Sequence, residues 1–293
     1  MKVFCDFKTP GYFDYYIERY KNYPIDLYVD YTNITNLDKD RINIFLLHEP
    51  NEFFGIHTWV CHNYHHFHAI ISWNKDVLNY CSNAIEFQCS WRENDNRAFE
   101  FLGKKKFEVS YLCGTKNLTE GHQLRQKIYT QLKNKIKIPN KWYYVLDDFD
   151  YETGTRPGYA EYSKDLSHVP IEYKNDPLFY GKKFLYKNTM FSIGVENLKQ
   201  ENWLNDRGWS CFASKVIPIY WGCPNLEEFG YDERGIIRFN NVEELSYILD
   251  NLTEKDYYDR LPYIEYNYQV NKQDTIQNKL NYILDEIIKL NNL

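Results

Sequence analysis

MFSIGVENLKQENWLNDRGWSCFASKVIPIYWGCPN, residues 190–225, decides how the rest of the chain is read. Residues 190–195 are an apolar run of one buried strand's length, stopped by the pair Glu196 and Asn197. Residues 216–220 are a second such run, ended by Trp221, Gly222, Cys223 and Pro224. Between them Leu204, Trp209, Phe212 and Val216 recur near helical spacing, so the unit reads strand, helix, strand. A crossover of that size joins parallel strands and points to a doubly wound α/β sheet, whose ligands bind at the carboxyl ends of strands. Glu196 and Asn197 stand at such an end. Asp206 and Arg207 open the helix, where backbone N–H groups and the dipole favour anions. A phosphate-bearing ligand is the expectation.

Composition narrows the field. The chain has 293 residues, room for two domains, and 43% of them are hydrophobic, enough for a sizeable core. A net charge of −6 leaves no broad basic excess for a nucleic-acid backbone, so a general nucleic-acid binder is excluded. The local cluster at residues 104–106 reads as a solvated face. The seven Cys are odd in number, lack C-x-x-C spacing and mostly lie in apolar runs, as reduced thiols of a cytoplasmic protein do. The start, MKVFCDF, lacks a signal peptide's apolar segment, and no run approaches the ~20 apolar residues of a transmembrane segment. The expected location is therefore the cytoplasm, and the N-glycosylation patterns at Asn33, Asn117 and Asn251 are read as chance matches. The 28 Tyr fit either an AT-rich gene or exposed sugar-binding aromatics.

Along the chain, strands are expected at residues 2–7, 25–31, 41–47, 69–73 and 84–89, and helices at 12–20, 52–64 and 75–80. This alternation makes a first α/β domain. The third strand stops at His48, Glu49, Pro50 and Asn51, a turn-like break at a carboxyl end. Residues 91–106 are polar and charged, and read as a linker. The second domain opens with a strand at 107–113 and a helix at 120–133, with Leu124, Ile128 and Leu132 on one face. A strand at 142–146, a loop over 147–176 and a helix at 179–187 lead into the central stretch. Beyond it come a short strand at 235–239 and a helix capped by Asn241, with Thr253 placed to cap the next. A last helix starts near Thr275 with Ile276, Leu280, Ile283, Ile287 and Leu290 along one packing face.

The central stretch resembles the donor-binding signature of the α-1,3-fucosyltransferases, the tenth glycosyltransferase family. There an apolar strand ends in Phe-Glu-Asn, Tyr-Val-Thr-Glu-Lys follows, and a helix leads to Ile-Pro-Ile-Tyr-Trp-Gly-x-Pro. The counterparts here are Val195, Glu196 and Asn197, then Trp203, Leu204, Asn205, Asp206 and Arg207, then residues 217–224. From Asn197 to Arg207 no insertion or deletion is needed. Thr-Glu-Lys has become Asn205, Asp206 and Arg207, which keeps both charges with a shorter acid and a forked base. Glu49 and Pro50 resemble the acidic turn that holds the family's general base, and residues 68–72 the strand after it. Residues 107–132 resemble the strand and helix that open the donor domain, and residues 181–187 its Lys-rich approach to the signature. Arg125 falls where the family places a basic residue reaching the donor diphosphate. The implied fold class is α/β: two Rossmann-like domains facing a cleft, the GT-B arrangement. Residues 1–103 would be the acceptor-binding domain, 104–265 the nucleotide-sugar donor domain, and 266–293 a C-terminal amphipathic helix.

The family's reaction is a one-step, inverting displacement of a nucleoside diphosphate from a sugar by an acceptor hydroxyl. A hydroxyl needs a base as the new bond forms, and Glu49 is the expected one, with Glu52 as runner-up. Cations aimed at the leaving diphosphate favour the transition state; Arg125 and Arg207 are the candidates, against the alternative of surface arginines. Lys182 and Lys183 are read as solvated. Asp206 would hold ribose or sugar hydroxyls, Asn197 would bond the donor, and Glu196 would orient its neighbours. Asn205 completes the motif, Trp203 stands where the family has Tyr, over the sugar or base or equally in the core, and Tyr220 divides between core and cleft wall.

No metal is expected. His62 and His66 are four apart, yet no Glu follows His62 as in H-E-x-x-H. G-x-G-x-x-G and P-loop patterns are absent, and Asp148 and Asp150 lie in a loop rather than at a strand end. The expected function is transfer of L-fucose from GDP-fucose to a glycan hydroxyl, with no essential cofactor. The alternatives are a different sugar nucleotide and a catalytically silent carbohydrate-binding relative.

Overall fold

The computed structural model describes residues 1–5, 13–87, 102–114, 116–145, 185–273 and 276–291. Cys89, Lys182, Lys183, the loop at 147–176 and most of the 91–106 and 179–187 segments lie outside the described residues. The chain divides into two compact units. One comprises residues 1–94, 201–203 and 275–293, the other residues 95–200 and 204–274.

The elements run β1 (Lys2–Cys5), α1 (Asp14–Arg19), β2 (Ile25–Val29), β3 (Ile42–Leu46), α2 (Asn51–Phe54), α3 (Ile56–Asn63), β4 (Ala69–Ser72), α4 (Lys75–Tyr80) and β5 (Ala84–Glu86). There follow β6 (Lys106–Gly114), α5 (Glu120–Leu132), β7 (Asn140–Val145), β8 (Thr189–Val195), α6 (Asp206–Ala213), β9 (Ile217–Trp221) and β10 (Ile237–Arg238). Three helices close the chain: α7 (Val242–Asn251), α8 (Glu254–Gln273) and α9 (Ile276–Leu290).

In the first unit five parallel strands lie in the order β1-β2-β3-β4-β5. Every residue of β2 and β3 is buried, because both faces of the sheet are covered. Tyr16 of α1, Tyr20 at its C-terminal end, and Leu280, Leu284 and Ile287 of α9 pack on the face bearing Ile25, Leu27 and Ile44. Ile56, Val60 and Val77 pack on the other face, against Tyr28, Phe45 and Ile70. Tyr20 also donates its hydroxyl hydrogen to Asp285 Oδ1 at 2.9 Å, tying α1 to α9. Of the expected α9 stripe, Leu280, Ile283 and Ile287 are buried, whereas Leu290 is 79% exposed. The helix expected at 52–64 is instead two. Gly55, at φ +64°, closes α2 by donating to Asn51 O at 2.7 Å and opens α3, a left-handed conformation that costs glycine nothing.

The second sheet is also parallel, but its order is β10-β9-β8-β6-β7. From β6 the chain goes outward to β7 and returns to β8 on β6's opposite side. The order therefore reverses between β6 and β8, the crevice where doubly wound sheets bind ligands. All seven residues of β8 are buried, and Phe191, Ile193, Tyr111, Ile217 and Ile219 form the core with Ile128 and Phe212 from α5 and α6. Thr119 and His122 form a capping box at the start of α5, and Asn241 caps α7 by accepting from Glu244 N at 2.8 Å.

The helix expected to follow Thr253 is α8, a polar helix that runs to Gln273. Its buried Asn267 accepts from Asp232 N at 2.7 Å and donates to Asp232 O at 3.0 Å. Asn271 accepts from Tyr231 Oη at 2.7 Å and donates to Trp209 O at 3.2 Å. The polar groups are satisfied, so burial does not require an apolar stripe. All six described cysteines are free thiols.

Candidate active site

The reversal point of the second sheet gathers most of the expected donor-site residues. Arg125, on α5 and 3% exposed, donates from Nη1 to Val195 O at 2.6 Å and from Nη2 to Asn197 Oδ1 at 2.8 Å. Arg207, half-buried on the first turn of α6, donates from Nη1 to Leu112 O near the end of β6 at 2.9 Å. Two guanidiniums thus share the carboxyl ends of β6 and β8. Burial, and then the neighbouring Arg207 charge, push the Arg125 pKa down to about 9. Burial acts in the same direction on Arg207, but Asp206 and the surrounding acids outweigh it and raise its pKa. Two like charges drawn together make a place where an anion is stabilised.

Glu196 holds this place together. Its Oε1 accepts from Asn205 N at 3.3 Å, Gly208 N at 3.2 Å and Tyr220 Oη at 3.2 Å. It therefore fixes the start of α6 to the end of β8. Asn205 caps α6, its Oδ1 accepting from Asp206 N at 2.7 Å. Tyr220 is fully buried and also accepts from Cys223 N at 3.2 Å, so it supports Glu196 from the core side. Asn197, half-buried, holds Arg125 through its side chain and Gly121 N through its carbonyl at 3.0 Å.

Arg238 was not among the sequence candidates. It donates from Nη1 to Cys223 O at 2.7 Å, pairs with Glu233, and lies 5.1 Å over the Tyr220 ring. Its signal was its place at the end of the short strand after the motif.

The Glu196 carboxyl is 1% exposed, and burial followed by the Asp206 charge pushes its pKa up to about 7. The folded protein therefore keeps a proton between pH ~4.5 and ~7 that the unfolded chain gives up, so stability falls as pH rises through that window and is level above it. Glu196→Gln, which keeps an oxygen for the three donors, is expected to remove a slope of about 2–3 kcal/mol between pH 5 and pH 8. Urea unfolding of both proteins across that range reads the difference; parallel curves would refute the assignment.

Glu49 and Trp203 fall in the first unit. Glu49 follows β3, with its side chain 23% exposed and Oε1 3.7 Å from His48 Nδ1. Its N–H donates to Asp30 Oδ2 at 2.9 Å, and its carbonyl meets His57 Nε2 at 3.2 Å, so that nitrogen carries the proton. Burial keeps the His57 pKa below its ordinary value. Trp73 donates from Nε1 to His48 O at 2.8 Å. Trp203 is 1% exposed, with its ring centroid 6.0 Å from that of Trp73, so it lies in an interior rather than on a ligand-facing wall. Glu52 is exposed on α2. His62 lies on α3 while His66 lies in the 3-10 turn after it, so they do not share a helical face. No group of three or more metal-ligating side chains occurs among the described residues, and none of the described helices is long and apolar enough to cross a membrane.

No family model matches the sequence, and no curated protein does. Among solved structures, a crystal structure of an α1,3-fucosyltransferase with GDP aligns over 99% of this chain and 90% of its own, with a TM-score of 0.54 and 12% identity. A crystal structure of an α1,3-fucosyltransferase with GDP-fucose has a TM-score of 0.49 at 12% identity, covering 90% of this chain and 78% of that one. A third α1,3-fucosyltransferase crystal structure has a TM-score of 0.46 at 14% identity, covering 86% and 79%. The first alignment and the two parallel sheets show the fold: α/β, with two Rossmann-like units of the GT-B type.

Proposed function

We propose that this GT-B protein is a glycosyltransferase that takes its sugar from a nucleoside-diphosphate donor, with GDP-fucose the first candidate. The observation that carries the reading is the pair Arg125 and Arg207 at the carboxyl ends of β6 and β8, where the strand order reverses. A diphosphate is the anion that such a paired, part-buried cationic site suits. Asp206 stands on the first turn of α6 for hydroxyls of the ribose or sugar, and Asn197 beside Arg125 for the donor's polar edge.

In the reaction the acceptor hydroxyl oxygen forms a bond to the anomeric carbon as the bond from that carbon to the diphosphate breaks. The nucleoside diphosphate leaves with the electron pair, and the hydroxyl proton passes to Glu49. Arg207 and Arg125 stabilise the charge that grows on the leaving group, which favours the transition state over the bound donor. Inversion at the anomeric carbon follows from a single displacement. The acceptor is a glycan hydroxyl.

A thermal-shift panel of GDP, UDP, CDP, dTDP and their sugar conjugates tests the reading, because ligand bound only to the folded state raises the melting temperature. GDP and GDP-fucose are expected to stabilise the protein, and Arg207→Ala to weaken GDP at least tenfold, about 1.4 kcal/mol. Arg207→Lys, which keeps the charge without the fork, should fall between. Stabilisation by another nucleotide alone would keep the transferase and replace the donor, a reading favoured by Asn205, Asp206 and Arg207 standing where the resembled motif has Thr-Glu-Lys. No shift with any nucleotide at millimolar concentration would sink the proposal.

A further inference from the structure

We infer that Asp30 is a positioning residue for Glu49, holding the turn that presents it and sharing the His48 Nδ1 with it. The inference rests on Glu49 acting as the base. Asp30 follows β2 directly, is 6% exposed, and has φ +48°, a conformation that Asp and Asn accept more readily than other side-chain-bearing residues. Its Oδ1 accepts from His48 N at 2.8 Å and its Oδ2 from Glu49 N at 2.9 Å. One carboxylate therefore grips two successive backbone amides at the end of the neighbouring strand.

The grip is braced. Asp30 N donates to Leu46 O at 3.1 Å, and Leu47 N to Ile71 O at 2.8 Å, so the turn is fixed to β3 and to the strand beyond. Asp30 Oδ2 lies 3.4 Å from His48 Nδ1, the same nitrogen that stands 3.7 Å from Glu49 Oε1. Nδ1 of the imidazole thus has two carboxylates near it, one almost fully buried and one reaching solvent. Their side-chain exposures, 1% for Asp30 and 23% for Glu49, divide the work between holding and reacting.

Burial pushes the Asp30 pKa up to about 7, against the pull of the two amide bonds and the His57 charge. Among the described residues, His48, Glu49 and His57 are the titratable groups facing it, and Glu52 and Asp76 act on His57 in turn. The carboxyl is thus poised where a change of charge would be felt by the imidazole and by Glu49 through it.

Asp30→Asn retains an oxygen for one amide, tolerates the positive φ, and loses the second bond and the charge. Asp30→Gly accepts the same φ and deletes the whole carboxylate, which keeps the test open if the first variant folds poorly. The readout is GDP release from GDP-fucose with N-acetylglucosamine as acceptor probe, for the wild-type protein, Asp30→Asn, Glu49→Gln and the double variant. Asp30→Asn is expected to lower kcat about tenfold to a hundredfold through misplacement of Glu49, with the donor KM within about twofold. In the Glu49→Gln background the same change should add less than about twofold, because a residue acting through Glu49 has nothing left to act on.

If Asp30→Asn lowers the rate by the same factor in both backgrounds, or leaves kcat unaltered, the inference falls and the role of Glu49 stands. If Glu49→Gln turns over normally, or the wild-type protein releases no GDP, the functional reading fails and this inference fails with it.

Discussion

Glu49→Gln is expected to lower turnover by about a thousandfold while leaving the melting-temperature gain from GDP unchanged. Gln has the shape of Glu and cannot take a proton at neutral pH. The contacts that hold the turn are made by the backbone of Glu49, its N–H to Asp30 and its carbonyl to His57, and survive the change. A positioned base contributes about a hundredfold to ten-thousandfold, so loss of the side chain's basicity should appear almost wholly in kcat. Initial rates of GDP release from GDP-fucose and a GDP thermal shift on the same preparation check both halves. A variant within tenfold of wild type would remove Glu49 from the reaction; a matching loss in Glu52→Gln would then move the role to Glu52.

Gly121→Ala should be the most damaging alanine substitution among the described glycines of the second unit. A Cβ there would lie 1.8 Å from Glu196 O and 2.7 Å from Asn197 O, both backbone atoms. Neither can move aside cheaply. Glu196 N is bonded to Trp221 O at 2.9 Å, and Asn197 O is itself the acceptor for Gly121 N at 3.0 Å. Relief must come from pushing α5 away from the end of β8, which pulls Arg125 from Val195 O and Asn197. The expected cost is about 4 kcal/mol, above the ordinary range for overpacking, with a fall of about 10 °C or more in the unit's melting temperature. GDP stabilisation should weaken with it. A variant that melts like wild type would mean that the helix and strand end approach less closely than described.

The parts of the fold that could be read from the sequence were those written in apolar runs with hard stops. β8 and β9 end at Glu196 and at the Gly222–Cys223–Pro224 turn, and each fills a buried strand. Periodicity says nothing about which strand lies beside which, so the reversal between β6 and β8 became visible only in the folded sheet. The start of α8 is legible at Thr253, but its length is not, because Pro262 lies inside it and its buried asparagines look like surface residues until their partners are known. Gly55 was passed over because one glycine inside an apolar stretch does not declare a left-handed turn.

In the candidate site, Asn197, Asp206 and Arg207 are legible from the strand and helix ends they occupy, whereas Arg125 and Asn205 come from the resemblance to a known motif. Glu196 was read as a residue that orients its neighbours, and its three bonds are of that kind. Asp30 carries no signal of its own in the sequence, where it follows an alternating run and reads as part of the strand. Only the fold brings it beside His48 and Glu49, eighteen and nineteen positions later.

The last helix gives the protein an order of assembly. The face of the first sheet that carries Ile25, Leu27 and Ile44 is covered in part by α9, and Tyr20 meets Asp285 across 265 positions of chain. A chain growing from its amino end makes that apolar face early and its cover last. The first unit to be synthesised is thus the second to be finished, and β6 to α8 can close their own sheet while it waits. Such long-range closure slows folding and leaves an apolar surface open to wrong partners in the interval. A ribosome that paused or stopped before residue 276 would release a chain with its second sheet buildable and its first sheet half-clothed.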